Sequence, residues 1–299
     1  MTSNLPCAYQ FFYKEIGIEV KDCIVKLKEL LDYADKADDW SFYEEVISAL
    51  LNVYEEQDDK NAIQKLLIDY ESKYEPSDSF LFLKARCFQN TLGKYKEAKE
   101  LIQKNLYKSR RWKDLLLRYY CDVRDKNNAG KILNKYFKND PKKQLTFYSS
   151  FNDDEKVICI VDQYAQNHEL DLTFISAKSC SLIRLKKYEE AYNFTKKYYD
   201  QPFMQREGVV CINYFLAYKN YKKPNDLDNK IHKKMIDGFM HYSEAEMAAA
   251  YALLNDKAKC FSCLRKVIEK HELMKFDVKE WPVFANYYKD NDFIKMTDT

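Results

Sequence analysis

Three stretches of this chain share one pattern. Leu92-Gly-Lys-Tyr-Lys-Glu-Ala-Lys-Glu-Leu-Ile102 returns as Leu185-Lys-Lys-Tyr-Glu-Glu-Ala191 and again as Leu254-Asn-Asp-Lys-Ala-Lys-Cys260. Each ends one amphipathic helix, turns tightly, and opens another whose first inward residue is small. A single helical hairpin cannot bury its apolar face, so such units must stack on one another.

The spacing gives the period. A small residue opens the second helix at Ala62, Ala98, Ala129, Ala191 and Cys260, at gaps of 36, 31, 62 and 69 residues. With the last two gaps read as double steps, 198 residues cover six units, a mean of 33. Composition agrees. Only 5 Gly and 6 Pro occur in 299 residues, too few turn residues for a sheet-rich fold. Hydrophobic residues make up 46% and charged residues 32%, the balance of a folded chain with a sizeable core.

Helical periodicity places the elements. Residues 13–36 read as one helix, with Ile16, Val20, Cys23, Ile24, Leu27, Leu30 and Leu31 on one face. Asp38 or Asp39 caps the next, which turns Phe42, Val46, Leu50 and Val53 inward. A third helix passes through Ala62, Leu66 and Tyr70 and stops before Pro76; Ser77 or Asp78 starts a fourth, Phe80–Leu92. Arg111–Val123 then pairs with Asn127–Lys138, Asp171–Leu185 with Glu189–Tyr199, Glu207–Tyr218 with Asp226–Met240, and Glu244–Leu254 with Ala258–Lys270. Asn152 with Glu155, and Ser243 with Glu246, have the spacing of capping boxes. The expected organisation is an N-terminal helix over 1–38, helical repeats over 39–270, and capping helices over 271–299 built on Trp281, Phe284, Tyr287, Tyr288 and Phe293.

These units resemble the tetratricopeptide repeat. That family asks for a bulky residue, Leu and Tyr down the first helix, a small residue opening the second, and a closing Pro. One unit offers Trp112 (one residue early), Leu116, Tyr120, Ala129, Leu133 and Pro141; the last offers Met247, Ala248, Tyr251, Cys260, Leu264 and Val267. Leu117 stands where a small residue is expected, the Gly93 unit is one residue long, and the units near Val157 and Lys230 match by spacing only. The resemblance covers about residues 40–270. It implies an all-α, right-handed α-solenoid of about seven hairpins with a C-terminal capping helix, and a protein- or peptide-binding role for its concave face.

No motif commits the chain to chemistry. Cys260-Phe-Ser-Cys263 lies inside a predicted helix, whereas a redox pair sits at a helix N-terminus, so it reads as two core residues one turn apart. The four His (His168, His232, His241, His271) form no metal-ligand pattern, and five scattered Gly cannot cradle a phosphate. The pairs Asp38-Asp39, Asp58-Asp59 and Asp153-Asp154 sit at helix starts, where carboxylates cap backbone amides. The expectation is a protein that is not an enzyme, without cofactor or metal.

Lys outnumbers Arg 41 to 8, so Lys-rich faces carry little functional weight and Arg carries more. Five Arg fall within 86–124: Arg86, Arg110, Arg111, Arg118 and Arg124. The family alignment carries Phe82, Arg86, Gln89 and Asn90 of one unit, and Arg111, Asp114, Arg118, Cys121 and Asp122 of the next, onto the concave face. An Arg fork there suits a carboxylate on an incoming peptide, unless each Arg is spent on a neighbour, as Arg118 would be on Asp114 at i,i+4.

The functional expectation is a scaffold or adaptor that binds a protein or peptide, one with an acidic segment if the Arg groove is used. Alternatives are a peptide-sensing regulator of the bacterial tetratricopeptide type and a helical-repeat RNA binder. A formal net charge of +2 argues against nucleic acid. The apolar run Val209–Tyr218 is too short for a membrane span. Nine Cys, an odd number, and no apolar leader near Met1 favour reduced thiols and a cytoplasmic setting.

Overall fold

The structure, a computed structural model, describes residues 19–57, 59–201, 207–223, 225–226, 229–231, 233, 243–269 and 275–298. Sixteen α-helices are labelled here in chain order. They are α1 (Val20–Lys36), α2 (Trp40–Glu56), α3 (Lys60–Lys73), α4 (Asp78–Asn90), α5 (Tyr95–Asn105), α6 (Arg110–Asp122), α7 (Lys126–Tyr136) and α8 (Pro141–Ser150). There follow α9 (Asp154–Ala165), α10 (Leu172–Arg184), α11 (Tyr188–Tyr199), α12 (Gly208–Lys222), α13 (Glu244–Leu253), α14 (Lys257–Glu269), α15 (Lys275–Glu280) and α16 (Asn291–Asp298), with a 3₁₀ helix at Pro282–Tyr287. No strand occurs among the described residues. The fold is an all-α helical-repeat solenoid, and the chain divides into two compact units, one up to Tyr119 and one from Tyr120.

One turn recurs at the ends of first helices, and glycine is not its basis. Asp38, Gly93, Arg124, Asn152, Lys186, Lys223 and Asn255 all have positive φ, between 47° and 63°. The next amide after most of them reaches back to a carbonyl five residues earlier: Asp39 to Ala34 at 3.0 Å, Asp125 to Tyr120 at 2.9 Å, Asp153 to Tyr148 at 3.0 Å, Lys187 to Leu182 at 2.9 Å and Asp256 to Tyr251 at 2.9 Å. This is the Schellman closure, which satisfies carbonyls the helix leaves open. At Gly93 the bond runs one residue longer, from Lys94 to Phe88 at 2.8 Å, the extra residue already visible in the sequence.

Caps then start the second helices. Asp125 accepts from Asn128 N–H, and Asp59 from Ala62 N–H. Asp39 and Ser77 cap α2 and α4, and Ser243 with Glu246 forms the expected capping box on α13. The box expected at Asn152 does not form. Asn152 is the left-handed turn residue, and the N-cap is Asp153, which makes no side-chain cap bond.

In the first unit α1 packs on α2, α2 on α3 and α4, and α4 on α5. Their core joins Cys23 and Leu27 to Val46, Ile47, Leu50, Leu51, Ile63, Tyr70 and Phe80. The small residue assigned to this unit is displaced by one position. Ala62 is half-buried, and Ile63 is the residue with no exposure. The remaining small residues, Ala98, Ala129, Ala191 and Cys260, are fully buried as the register requires.

In the second unit successive first helices stack, α8 on α10, α10 on α12 and α12 on α13, while α11 packs on α12 and α14 on α13. The core gathers Leu182, Ala191, Phe215, Ala248, Leu253, Phe261 and Leu264, and the tail contributes Val278, Val283, Phe284, Tyr287 and Phe293 to the same cluster. The tail thus covers the apolar face of the last hairpin. The start of the predicted 13–36 helix with Ile16, Asp58, most of the predicted Asp226–Met240 helix, and His232, His241 and His271 lie outside the described residues.

Candidate functional site

Polar bonds between neighbouring repeats decide which side chains remain for a ligand. They span about one period. Arg86 Nη2 donates to Asn52 Oδ1 at 2.6 Å and to Glu55 Oε2 at 2.8 Å. Asp78 receives Arg111 Nη2 at 2.6 Å and Trp112 Nε1 at 2.9 Å. Asn213 Nδ2 donates to Ser179 Oγ at 2.8 Å, in the second unit. First helices one repeat apart are therefore fastened side to side, within each unit.

That ladder engages most of the predicted Arg groove. Arg86 is half-buried against Glu55 and Asn52. Arg111 is held by Asp78 and lies 5.0 Å above the Phe82 ring, which meets Trp112 edge-on at 5.3 Å. Arg118 pairs with Asp114 at 3.5 Å, the i,i+4 contact foreseen, while its side chain stays 60% exposed. Gln89 is 3% exposed and belongs to the packing, and Asn90 is exposed. Asp122 and Cys121 fall past Tyr119, in the second unit.

What the structure assembles instead is a groove of about 550 Å³ in the first unit. The start of α2 supplies Trp40, Ser41, Glu44, Glu45 and Ser48; the start of α4 supplies Ser77, Asp78, Ser79, Phe82 and Leu83; Arg111 closes one side. Of the predicted residues only Phe82 and Arg111 line it. Trp40 is 58% exposed, an unusual position for the largest apolar side chain. The lining carries three carboxylates and one Arg. Burial would raise the Asp78 pKa, but hydrogen bonds from Arg111 and Trp112 outweigh it and hold the carboxyl below the usual range. Glu44 accepts from the Tyr70 hydroxyl at 3.3 Å. Glu45 Oε2 is buried with no hydrogen-bond partner.

Trp40, Glu44 and Glu45 carry no motif of their own in the sequence, where Asp38-Asp39 reads as a cap and the residues behind it as core. The run Trp40-Ser-Phe-Tyr-Glu-Glu45 contained the signal: Phe42 and Tyr43 point inward, so Trp40, Glu44 and Glu45 fall largely outside that stripe.

The two thiols of the Cys260-Phe-Ser-Cys263 pair are core groups. Cys260 and Cys263 are buried in α14, and burial pushes them up to about 12 and about 11, with Cys263 also raised by a bond to Glu244. No group of three potential metal ligands occurs among the described residues, and no described helix is long and apolar enough to cross a membrane. Compared with known proteins, the chain matches no protein-family profile and no curated protein.

Proposed function

We propose that this chain is a tetratricopeptide-like, peptide-binding module, and that the Trp40–Glu45 groove of its first unit receives an extended segment of a partner protein. The observation that carries this reading is the buried, unpartnered Glu45 carboxylate oxygen in a groove that also exposes Trp40. An unsatisfied buried acceptor is costly, and a donor that draws the Glu45 side chain toward the groove removes that cost. Three carboxylates against one committed Arg favour a Lys or Arg side chain, with Trp40 offering an aromatic face to it. The partner's sign in this groove is thus basic rather than acidic, because Arg86 and Arg111 are already engaged by Glu55 and Asp78.

The test is a peptide array of matched basic and acidic sequences, read by intrinsic fluorescence. Trp112 is fully buried and Trp281 half-buried, so the most exposed indole is that of Trp40, and comparison with Trp40→Ala identifies its share of the emission. Basic peptides should shift that emission and Glu45→Gln should abolish the response. Trp40→Ala, which removes the reporter, should lose peptide binding measured by calorimetry, and neither change should lower Tm. Equal response to acidic peptides would overturn the reading.

A further inference from the structure

The second unit holds a cavity of about 480 Å³ with the opposite chemistry. Its apolar wall comes from first helices one repeat apart: Ile183 of α10, Leu216 of α12, and Ala252 and Leu253 of α13. The C-terminal segment closes it, laying Pro282, Val283 and Tyr288 across them. The volume falls in the range of small-molecule pockets, and an apolar wall with a few convergent polar groups is their usual form.

The polar lining is rich in donors. Arg184, Lys186, Lys219 and Lys279 face one carboxylate, Glu280, and that carboxylate is already paired with Arg124 at 2.8 Å. Arg184 is fixed by Asp154, which takes Nε at 3.0 and 3.1 Å and Nη2 at 2.6 Å. Nη2 also reaches Ser181 Oγ at 3.4 Å, and Nη1 takes no part in either contact, so a fixed guanidinium keeps that nitrogen for the cavity. Lys186 stands beside it on the exposed left-handed turn. Lys219 bonds to the Leu253 carbonyl at 2.7 Å, which fixes its ammonium at the wall. Two cations held in place, Arg184 and Lys219, with Lys186 on the rim and an apolar wall behind them, suit one class of guest.

We propose that this cavity binds a small organic anion, with its phosphate or carboxylate group on Arg184 and Lys186 and its body against Ile183, Leu216 and Leu253. The geometry of the fixed Arg favours an oxyanion over a halide, since two oxygens can share its planar edge and the nearby ammonium. The site is independent of the Trp40 groove and stands or falls separately.

The experiment is calorimetric titration of the full chain with pyrophosphate, citrate and benzoate at low and high salt. Saturable binding of at least one probe, weakened by salt, is expected. The pyrophosphate and citrate arms show which anionic group is preferred, and benzoate reports the apolar wall. Lys186→Glu, at an exposed turn, should weaken binding roughly tenfold or more, as loss and reversal of a charge-assisted contact would. Lys131→Glu, the same charge change on the exposed side of α7, should leave it unaltered. Tyr188→Phe serves as a second probe of the lining that keeps charge and shape. Absence of saturation up to millimolar concentration, or equal weakening by Lys186→Glu and Lys131→Glu, overturns the proposal.

Discussion

Arg184 grips Asp154 across 30 residues of sequence, through two guanidinium nitrogens and with the carboxylate 9% exposed. The pair links the end of α10 to the start of α9, in place of the capping role expected of Asp154. Removing one member of a buried pair leaves the other charge uncompensated. Asp154→Ala should therefore destabilise by about 3 kcal/mol, read as a fall in urea midpoint with unchanged slope. A loss below about 1 kcal/mol would mean that solvent reaches Arg184 and screens it.

The register of the repeats is tested at Ala191. Its side chain has no exposure, and α11 closes on its neighbours there. Ala191→Leu inserts three carbons into a filled space and should cost about 1–3 kcal/mol. Thermal melting gives the answer, and an unchanged Tm would displace the contact to another position.

Acid titration should reveal Asp78. Its carboxyl is held below the ordinary carboxylate value in the folded state, so its contribution to stability is complete above the unfolded pKa near 3.8. That contribution is lost as pH falls below 3.8 and through the lowered folded value. Asp78→Asn should lower stability at neutral pH and flatten the acid limb of the stability curve between wild-type-like and variant profiles. A parallel shift at all pH values would point to packing instead.

Asp38 bears a left-handed backbone, φ 53°, on an exposed turn. Residues other than Gly pay of order 1 kcal/mol for that conformation, less for Asp than for most. Asp38→Gly should leave the Asp39–Ala34 bond in place and raise stability by a few tenths to about 1 kcal/mol. A decrease would show that the greater freedom Gly gives the unfolded chain outweighs the relieved strain.

The helices were legible from the sequence because their determinants are local. Asp39, Ser77 and Ser243 announced caps, and Ala98, Ala129, Ala191 and Cys260 announced close contacts, each within a turn or two of its effect. Besides the cap expected of Asp154, two local expectations are not met because neighbouring residues compete for one role. Ile63 took the place given to Ala62, and Asn152 took the turn while Asp153 became the N-cap. The sites were poorly legible for a different reason. Whether Arg86 meets a ligand or Glu55 depends on the rotation of α4 against α2, one repeat away. The second cavity depends on where residues 279–288 settle, and no local spacing rule reports that.

The pairing of Arg124 with Glu280 has a mechanical consequence for the second unit. Stacked repeats held only by their neighbours would peel from a free end under load, each lengthening the chain by roughly 110 Å for 33 extended residues. Glu280 instead ties the C-terminal end to the turn that opens this unit, across more than four repeat lengths of chain. A pull at the C-terminus first loads the packing of Phe293, Tyr287 and Phe284. When that gives way the Arg124–Glu280 pair still holds the segment to the opening turn, adding a second, weaker step before the last hairpin is reached.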